Sequence, residues 1–360
     1  MQRFFEQNQI DENEVIAVGV SGGADSLALV LRLSDLGRKV VALSVDHGLR
    51  PTSSDEADYV AKLMAKSGIE HHILVWEGEK PTSDIEAVAR EARYRLLCDW
   101  CKNHNVKYLA IGHHRRDQAE TFLLRLQRGS GLQGLCGMYP ISERDEIFIL
   151  RPQLGDEPEV LRNYLKQKSI DWVEDESNQC DDFMRVKVRK FLPELEAKIG
   201  LTEVRLAETA KVLQRTQNYF EYEVAKRIKN QVRKLYNRVY AFSLSVVKNW
   251  HEEIAYRVME KLLRFCGGKS YAPEAEEILR LLQAMQSSDF KGCTLNGCEI
   301  LVAQKRIWMV PEVLDNQVLS KRDWEKCLQF VPQYAKAGLP YKVRRAIYNQ
   351  IMKDTNGQES

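Results

Sequence analysis

Six consecutive residues, Ser21-Gly22-Gly23-Ala24-Asp25-Ser26, combine two glycines, two hydroxyls and one carboxylate. Glycines permit positive φ and let another group approach the backbone closely. Successive N–H groups in such a turn form an anion-binding concavity, and a helix start behind them adds donors and the positive end of its dipole. That dipole favours a nearby anion by roughly 0.3–1 kcal/mol. Ser21 and Ser26 add hydroxyl donors, so the chemistry this grouping suits is the grip of a phosphate chain. Asp25 would be repelled by phosphate unless a cation lay between them, and its presence predicts Mg2+ as the bridge. The segment is not a Walker sequence, which needs Gly-Lys-Ser/Thr, nor a GxGxxG dinucleotide fingerprint.

A second grouping follows His113 and His114, of which His114 is read as structural, as a lone histidine at a strand end more often is. Asp117 and Glu120 are three residues apart, which on a helix puts them on one face. Paired carboxylates can hold ammonium groups or a metal, or accept a proton; the plainer alternative is a solvated acidic helix edge. A third grouping, Cys98-Asp99-Trp100-Cys101, is the chain's one CxxC. It falls within a helical pattern, where cysteines three apart share a face and pack as small apolar residues. Cys136 is the other thiol in the region.

The elements that must position these groups read as alternating strands and helices. Val15–Val20 is a short β-branched run ending at the glycine loop, and Asp25–Leu36 is an apolar helix stopped by Gly37. Val40–Val45 is a second strand and Ser54–Ser67 a helix stopped by Gly68. His71–Val75 is a third strand, followed by a helix with Asp84 as its cap. Tyr108–Ile111 is a fourth strand, leading into a helix over 117–128 and a glycine-rich stretch, Gly129–Gly137, expected to be a flexible cover. This alternation predicts an α/β fold, a parallel sheet with helices on both faces. In such sheets ligands sit beyond the carboxyl ends of the strands, where most of these residues fall.

Beyond residue 192 the pattern changes. We expect a catalytic domain over 1–195, a helical connector over 196–240, a smaller α+β substrate-binding domain over 241–310, and a short tail over 311–360. The 360 residues are 44% hydrophobic and 29% charged, with a net charge of +2, ordinary for a globular protein. Charge distribution says more: residues 185–238 hold fourteen Lys or Arg against six acids, as a polyanion-binding surface would. The start lacks the pattern of a secretory signal, no run approaches membrane-spanning length, and eight scattered cysteines form no disulfide framework. The expected location is cytoplasmic, with no membrane partner; oligomeric state is left open.

The loop resembles the SGGxDS loop of the N-type ATP pyrophosphatases (PP-loop enzymes), which cleave ATP to AMP and pyrophosphate. Five further segments resemble the tRNA(Ile)-lysidine synthetase family, in that family's order. They are Val45-Asp46-His47-Gly48-Leu49-Arg50; Ala89-Arg90-Glu91-Ala92-Arg93-Tyr94; Gly112-His113-His114-Arg115-Arg116-Asp117-Gln118-Ala119-Glu120-Thr121; Leu150-Arg151-Pro152; and Trp172-Val173-Glu174-Asp175 with Ser177-Asn178, then Phe183-Met184-Arg185 and Arg189, before Leu192-Pro193. Gly267-Gly268 and Thr294-Leu295-Asn296-Gly297-Cys298 continue the likeness, which covers roughly residues 13–310. Three positions depart from it: Arg116 replaces a usual acid and is expected to put a positive charge beside the acid pair, where lysine or a metal would sit; Glu176 replaces a frequent proline and Val186 a frequent asparagine. Residues 311–360 are too few for the second C-terminal domain of longer family members.

The resemblance implies a ligase that joins free L-lysine to C2 of the wobble cytidine of tRNA(Ile) with a CAU anticodon. ATP and Mg2+ are the implied cofactors, and the modified tRNA reads AUA. It implies nucleotide binding by Ser21, Gly22, Gly23, Ala24, Asp25, Ser26 and His113. It also implies that Arg93 and Arg185 neutralise the α-phosphate, and that Asp25, Asp117 and Glu120 take part in catalysis. Deprotonating the attacking amine at pH 7 costs about 4.6 kcal/mol. One of the paired carboxylates is therefore expected to anchor the α-amino group and the other to act as base, in an order the sequence leaves open. The alternatives are a tRNA thiolation enzyme of the same loop class, which would need reactive cysteines, and a non-catalytic tRNA-binding protein.

Overall fold

The computed structural model describes residues 1–48, 53–78, 85–174, 184–269, 271–313 and 318–356. The expected cap Asp84, and Leu49, Arg50, Asp175, Glu176, Ser177, Asn178 and Phe183 among the motif residues, lie outside these. The chain divides into two compact units, Met1–Gln217 and Asn218–Ser360. Among the described residues no helix is long and apolar enough to cross a membrane.

The first unit opens with α1 (Gln2–Gln7), β1 (Val15–Gly19), α2 (Ala24–Asp35), β2 (Lys39–Asp46), α3 (Ser53–Lys66), β3 (Glu70–Val75), α4 (Ile85–Asn103), β4 (Tyr108–Ala110) and α5 (Arg115–Gln127). It continues through α6 (Leu132–Leu135), β5 (Ile141–Arg144), β6 (Ile147–Leu150), α7 (Pro158–Gln167), α8 (Met184–Ile199) and the first half of α9 (Glu203–Gln231). The sheet order is β3-β2-β1-β4-β6-β5, parallel except for the edge strand β5. The expected parallel sheet is therefore present, with a β5–β6 hairpin added that the apolar pattern had not disclosed.

Side-chain alternation sorts β1 between two cores, as a strand buried on both faces requires. Ile16 and Val18 join α2, α3 and α7 residues such as Leu29, Met64 and Leu161 on one face. Ala17 joins Tyr94, Leu97, Cys98 and Cys101 of α4 on the other. Strand order reverses at the β1/β4 junction: β2 and β3 extend to one side and β6 and β5 to the other. The loops leaving β1 and β4 part company there and open a crevice.

The second unit holds the rest of α9, then β7 (Arg233–Tyr236), β8 (Val239–Ser243), α10 (Leu244–Asn249), α11 (Glu252–Gly267), α12 (Ala275–Gln286), β9 (Gly292–Leu295), β10 (Cys298–Ala303), β11 (Arg306–Pro311), α13 (Lys321–Cys327) and α14 (Tyr341–Asn356). Its five strands run antiparallel in the order β7-β8-β11-β10-β9. Ile307 and Met309 of β11 face α11 and α12, whereas Trp308 and Val310 face α13 and α14.

The boundaries expected from composition differ from these. Residues 196–240 are not a separate connector, because β7 and the start of β8 are built into the second sheet. The segment expected as a short tail over 311–360 contributes described residues to the second unit's core. Trp324, Val343 and Ile347 from that segment close the second face of the sheet, so the alternating apolar residues of β11 find cover on both sides.

Candidate active site

The Ser21–Ser26 loop sits in the crevice between β1 and β4, where α2 begins. Gly22 has φ +83°, a conformation L side chains rarely adopt. The N-cap of α2, Gly23, provides no side-chain cap, so the first N–H groups of the helix keep their donor capacity. Ser26 is buried and braces the loop from within: its hydroxyl donates to the Gly23 carbonyl (3.0 Å) and accepts from the Ser21 N–H (3.1 Å). Ser21 is exposed. Two further segments fix the loop from behind. The Val173 N–H donates to the Gly22 carbonyl (3.0 Å), which gives the Trp172-Val173 motif a physical role. Gln153, fully buried just after Leu150-Arg151-Pro152, donates through its amide to the Asp25 carbonyl (2.7 Å). Sequence reasoning missed Gln153, and its place directly after a motif was the one available signal.

The segment leaving β4 passes the loop so closely that a Cβ on Gly112 would lie 3.0 Å from the Asp25 backbone. The chain then enters α5 through His114, which caps the helix. His114 Nδ1 accepts from the Asp117 N–H (3.3 Å) while the Asp117 carboxylate accepts from the His114 N–H (3.0 Å). On its other side His114 Nε2 lies 3.4 Å from the carboxylate of Asp25. Burial alone would lower the pKa of this imidazole. The hydrogen bond to Asp25 and the negative charges of Asp117, Asp25 and Glu120 outweigh burial and raise it. Sequence reasoning weighed His114 as structural; it is the bridge between the phosphate loop and the acid pair.

Asp117 and Glu120 do share a face, but their surroundings differ. Glu120 is 0% exposed and is held by two arginines of α8: Arg185 Nε at 2.7 Å and Arg189 Nε at 2.6 Å. Asp117 keeps 15% of its side chain exposed and meets Arg185 at 3.4 Å. Arg189, which sequence spacing did not single out, is thus as close to the acid pair as Arg185.

His113 is buried, and its Nδ1 has no hydrogen-bond partner among the described residues. Its pKa is driven well below the usual value by burial first and then by the positive charges of Arg151, Arg90, Arg185 and Arg93. Those four side chains come from three separate segments, and their convergence makes this end of the sheet electropositive. Arg90 and Arg151, motif residues with no role assigned from sequence, join Arg93 and Arg185 here.

Arg116 does not put a positive charge beside the acid pair: its guanidinium bonds Glu203 of α9 (2.6 Å) and Glu159 of α7 (3.0 Å). The Gly129–Gly137 stretch is pinned, with Arg125 donating to the Gly134 carbonyl (2.6 Å) and Gln214 to the Cys136 carbonyl (2.7 Å). Cys98 and Cys101 are fully buried in the α4 core, and burial pushes their thiols up to about 11 and about 12. Thiols so hard to ionise are poor nucleophiles, which removes the CxxC from the candidate chemistry.

A family model described as a PP-loop domain matches residues 1–195, so the fold and its glycine loop define a PP-loop protein. The tRNA(Ile)-lysidine synthase of Wolbachia pipientis wMel is 36% identical over 315 residues, covering 83% of this chain and 71% of that protein. The enzyme of the same name from Hyphomonas neptunium is 35% identical over 310 residues, covering 82% and 81%. The chain belongs to the tRNA(Ile)-lysidine synthase family. Among solved structures, the U34-tRNA thiolase NcsA from Methanococcus maripaludis superposes with a TM-score of 0.51. At 17% identity, over 59% of this chain and 78% of that one, the likeness is one of fold.

Proposed function

We propose that the protein is a ligase that forms lysidine in tRNA(Ile), using ATP to activate C2 of the wobble cytidine of a CAU anticodon and free L-lysine as the nucleophile. The cytidine O2 attacks the α-phosphorus of ATP and pyrophosphate leaves. The lysine side-chain amine then attacks C2, loses a proton, and AMP departs with the former O2. The observation that carries this reading is the bridge Asp25–His114–Asp117, which ties a phosphate-gripping loop to an acid pair suited to an amine.

The first N–H groups of α2, with exposed Ser21, would hold the pyrophosphate portion of ATP. Arg93 and Arg185 would offset the charge of the α-phosphate, with His113 beside them as a neutral imidazole. The Asp25 carboxylate, 41% exposed at the helix start, suits the Mg2+ that accompanies ATP, because that ion characteristically takes one or two protein carboxylates together with phosphates. Its chemistry there is neutralisation of phosphate charge. Of the two acids, Asp117 is the one that can meet the substrate amine, since Glu120 is enclosed and committed to two guanidiniums. Glu120 then acts as the positioning group for Arg185. Holding the activated base and the amine together replaces a bimolecular encounter, with an effective molarity of roughly 10⁵ M or more.

The test is mass analysis of the anticodon nucleoside after incubating the tRNA with ATP and lysine. A gain of lysine minus water is expected. A sulfur-for-oxygen change, or no change with pyrophosphate release absent, would overturn the assignment.

A further inference from the structure

The second unit carries a helix face whose composition differs from an ordinary solvated one. From Asn218 onward, α9 turns Val224 toward the unit's core, with Ile228 packed against it. Phe220 lies under the Arg257 guanidinium at 4.6 Å, and Glu221 pairs with Lys261 of α11 at 3.1 Å. The opposite arc, about 140° wide at 3.6 residues per turn, presents Asn218, Tyr219, Tyr222, Ala225, Lys226, Lys229 and Asn230, all exposed. Arg233, the first residue of β7 after the helix end, is also exposed. No carboxylate lies within the arc. Glu223 stands at its margin, engaged by Lys226 and Arg227, each at 3.5 Å.

Two features of this face need a reason. Tyr219 and Tyr222 are 61% and 63% exposed, a large aromatic area to leave in water one helical turn apart. The cations beside them are of one sign, whereas solvated helix faces ordinarily alternate signs. Aromatic rings flanked by Lys and Arg are what single-stranded nucleic acid requires, with bases stacking on rings and phosphates meeting cations. Lys226 already lies 5.8 Å from the Tyr222 ring centroid, so ring and charge present themselves as one surface.

We infer that this face of α9 binds unpaired nucleotides of the tRNA, with bases stacked on Tyr219 and Tyr222 and flanking phosphates on Lys226 and Lys229. The inference rests on the proposed tRNA substrate and names where, outside the catalytic crevice, that RNA is held. Its affinity is aromatic and electrostatic, so it tolerates changes of base but not loss of the rings.

Equilibrium binding of a tRNA(Ile) CAU transcript to the full-length protein tests it. Tyr219→Ala with Tyr222→Ala is expected to weaken Kd at least tenfold, because each stacked base contributes roughly a fivefold factor or more. Tyr219→Phe with Tyr222→Phe keeps the rings and should bind within about twofold of the parent. Lys226→Gln with Lys229→Gln should flatten the log Kd against log salt slope by about 1.4–1.8. Unchanged affinity and slope in the alanine and glutamine variants would overturn the inference. So would a change confined to the sedimentation of the protein alone, which would make the occupant a second copy of the chain. Lysidine formation at saturating tRNA is read separately: wild-type turnover with unchanged Kd sinks the surface and leaves the proposed reaction standing. A parent protein that binds the transcript through these residues yet forms no lysidine does the reverse.

Discussion

The two sheets of this chain solve opposite problems. In the first unit, charged groups are drawn inward and locked to one another: Glu120 is sealed between two guanidiniums, and His114 is wedged between two carboxylates. In the second, charges and rings along α9 are left in water. An interlocked buried set fixes geometry at the cost of tolerance, since each member removed leaves another uncompensated. A solvated set gives up precision and acts by summation. Single substitutions should therefore have large effects in the first unit and small, additive ones in the second.

The sharpest way to break this contrast is Glu120→Gln. Removing the charge strands Arg185 and Arg189, so lysidine formation should fall at least about a hundredfold. Urea unfolding should report a loss of about 2–3 kcal/mol, below the cost of breaking a fully buried pair because the guanidiniums are partly exposed. A variant with near-parent activity and stability would show that the sealed carboxylate is not needed. Next comes Gly112→Ala. Its Cβ would press on the Asp25 backbone at 3.0 Å, so the phosphate loop must yield. A loss of about 1–3 kcal/mol and a raised KM for ATP are expected, measured by melting and by pyrophosphate release.

How much of this could be read from residues alone follows the same division. The glycine loop, the four parallel strands and the Asp117–Glu120 face were legible because each rests on local pattern: an apolar run, a turn, a helical spacing. Gln153 was not, and Arg151 and Arg189 were visible only as motif residues without a role, because what they do depends on distant segments meeting at the β1/β4 junction. The β5–β6 hairpin and the β7–β8 pair were also hidden. Arg116 shows the limit most clearly. Its neighbours in sequence placed it at the acid pair, yet one position along a helix turns a side chain by 100°. That rotation delivers it to Glu203 and Glu159 instead.

A smaller effect concerns pH. His113 is held neutral by burial and by four arginines, so the folded protein binds a proton there more weakly than the unfolded chain. The unfolded imidazole titrates near pH 6.5, and its contribution to stability is complete above that value. As pH falls below it, stability should decline by up to about 1.4 kcal/mol per unit until the folded pKa is reached. His113→Asn should flatten this dependence in urea titrations between about pH 4.5 and 6.5; an unaltered slope would mean other groups dominate. The smallest change expected is from Arg116→Ala, whose partly exposed ion pairs should be worth about 1 kcal/mol. The KM for lysine should stay within about twofold, and a large shift would return this residue to the catalytic pocket.

Strand β11 sends Ile307 and Met309 one way and Trp308 and Val310 the other, and among the described residues the second group is roofed by residues that follow the sheet in sequence, such as Trp324, Val343 and Ile347. A chain cut just after Pro311 would therefore bare an indole and a row of aliphatic side chains across the middle of an antiparallel sheet. Such a shortened protein should be prone to self-association and poorly recovered from solution, however intact its catalytic crevice.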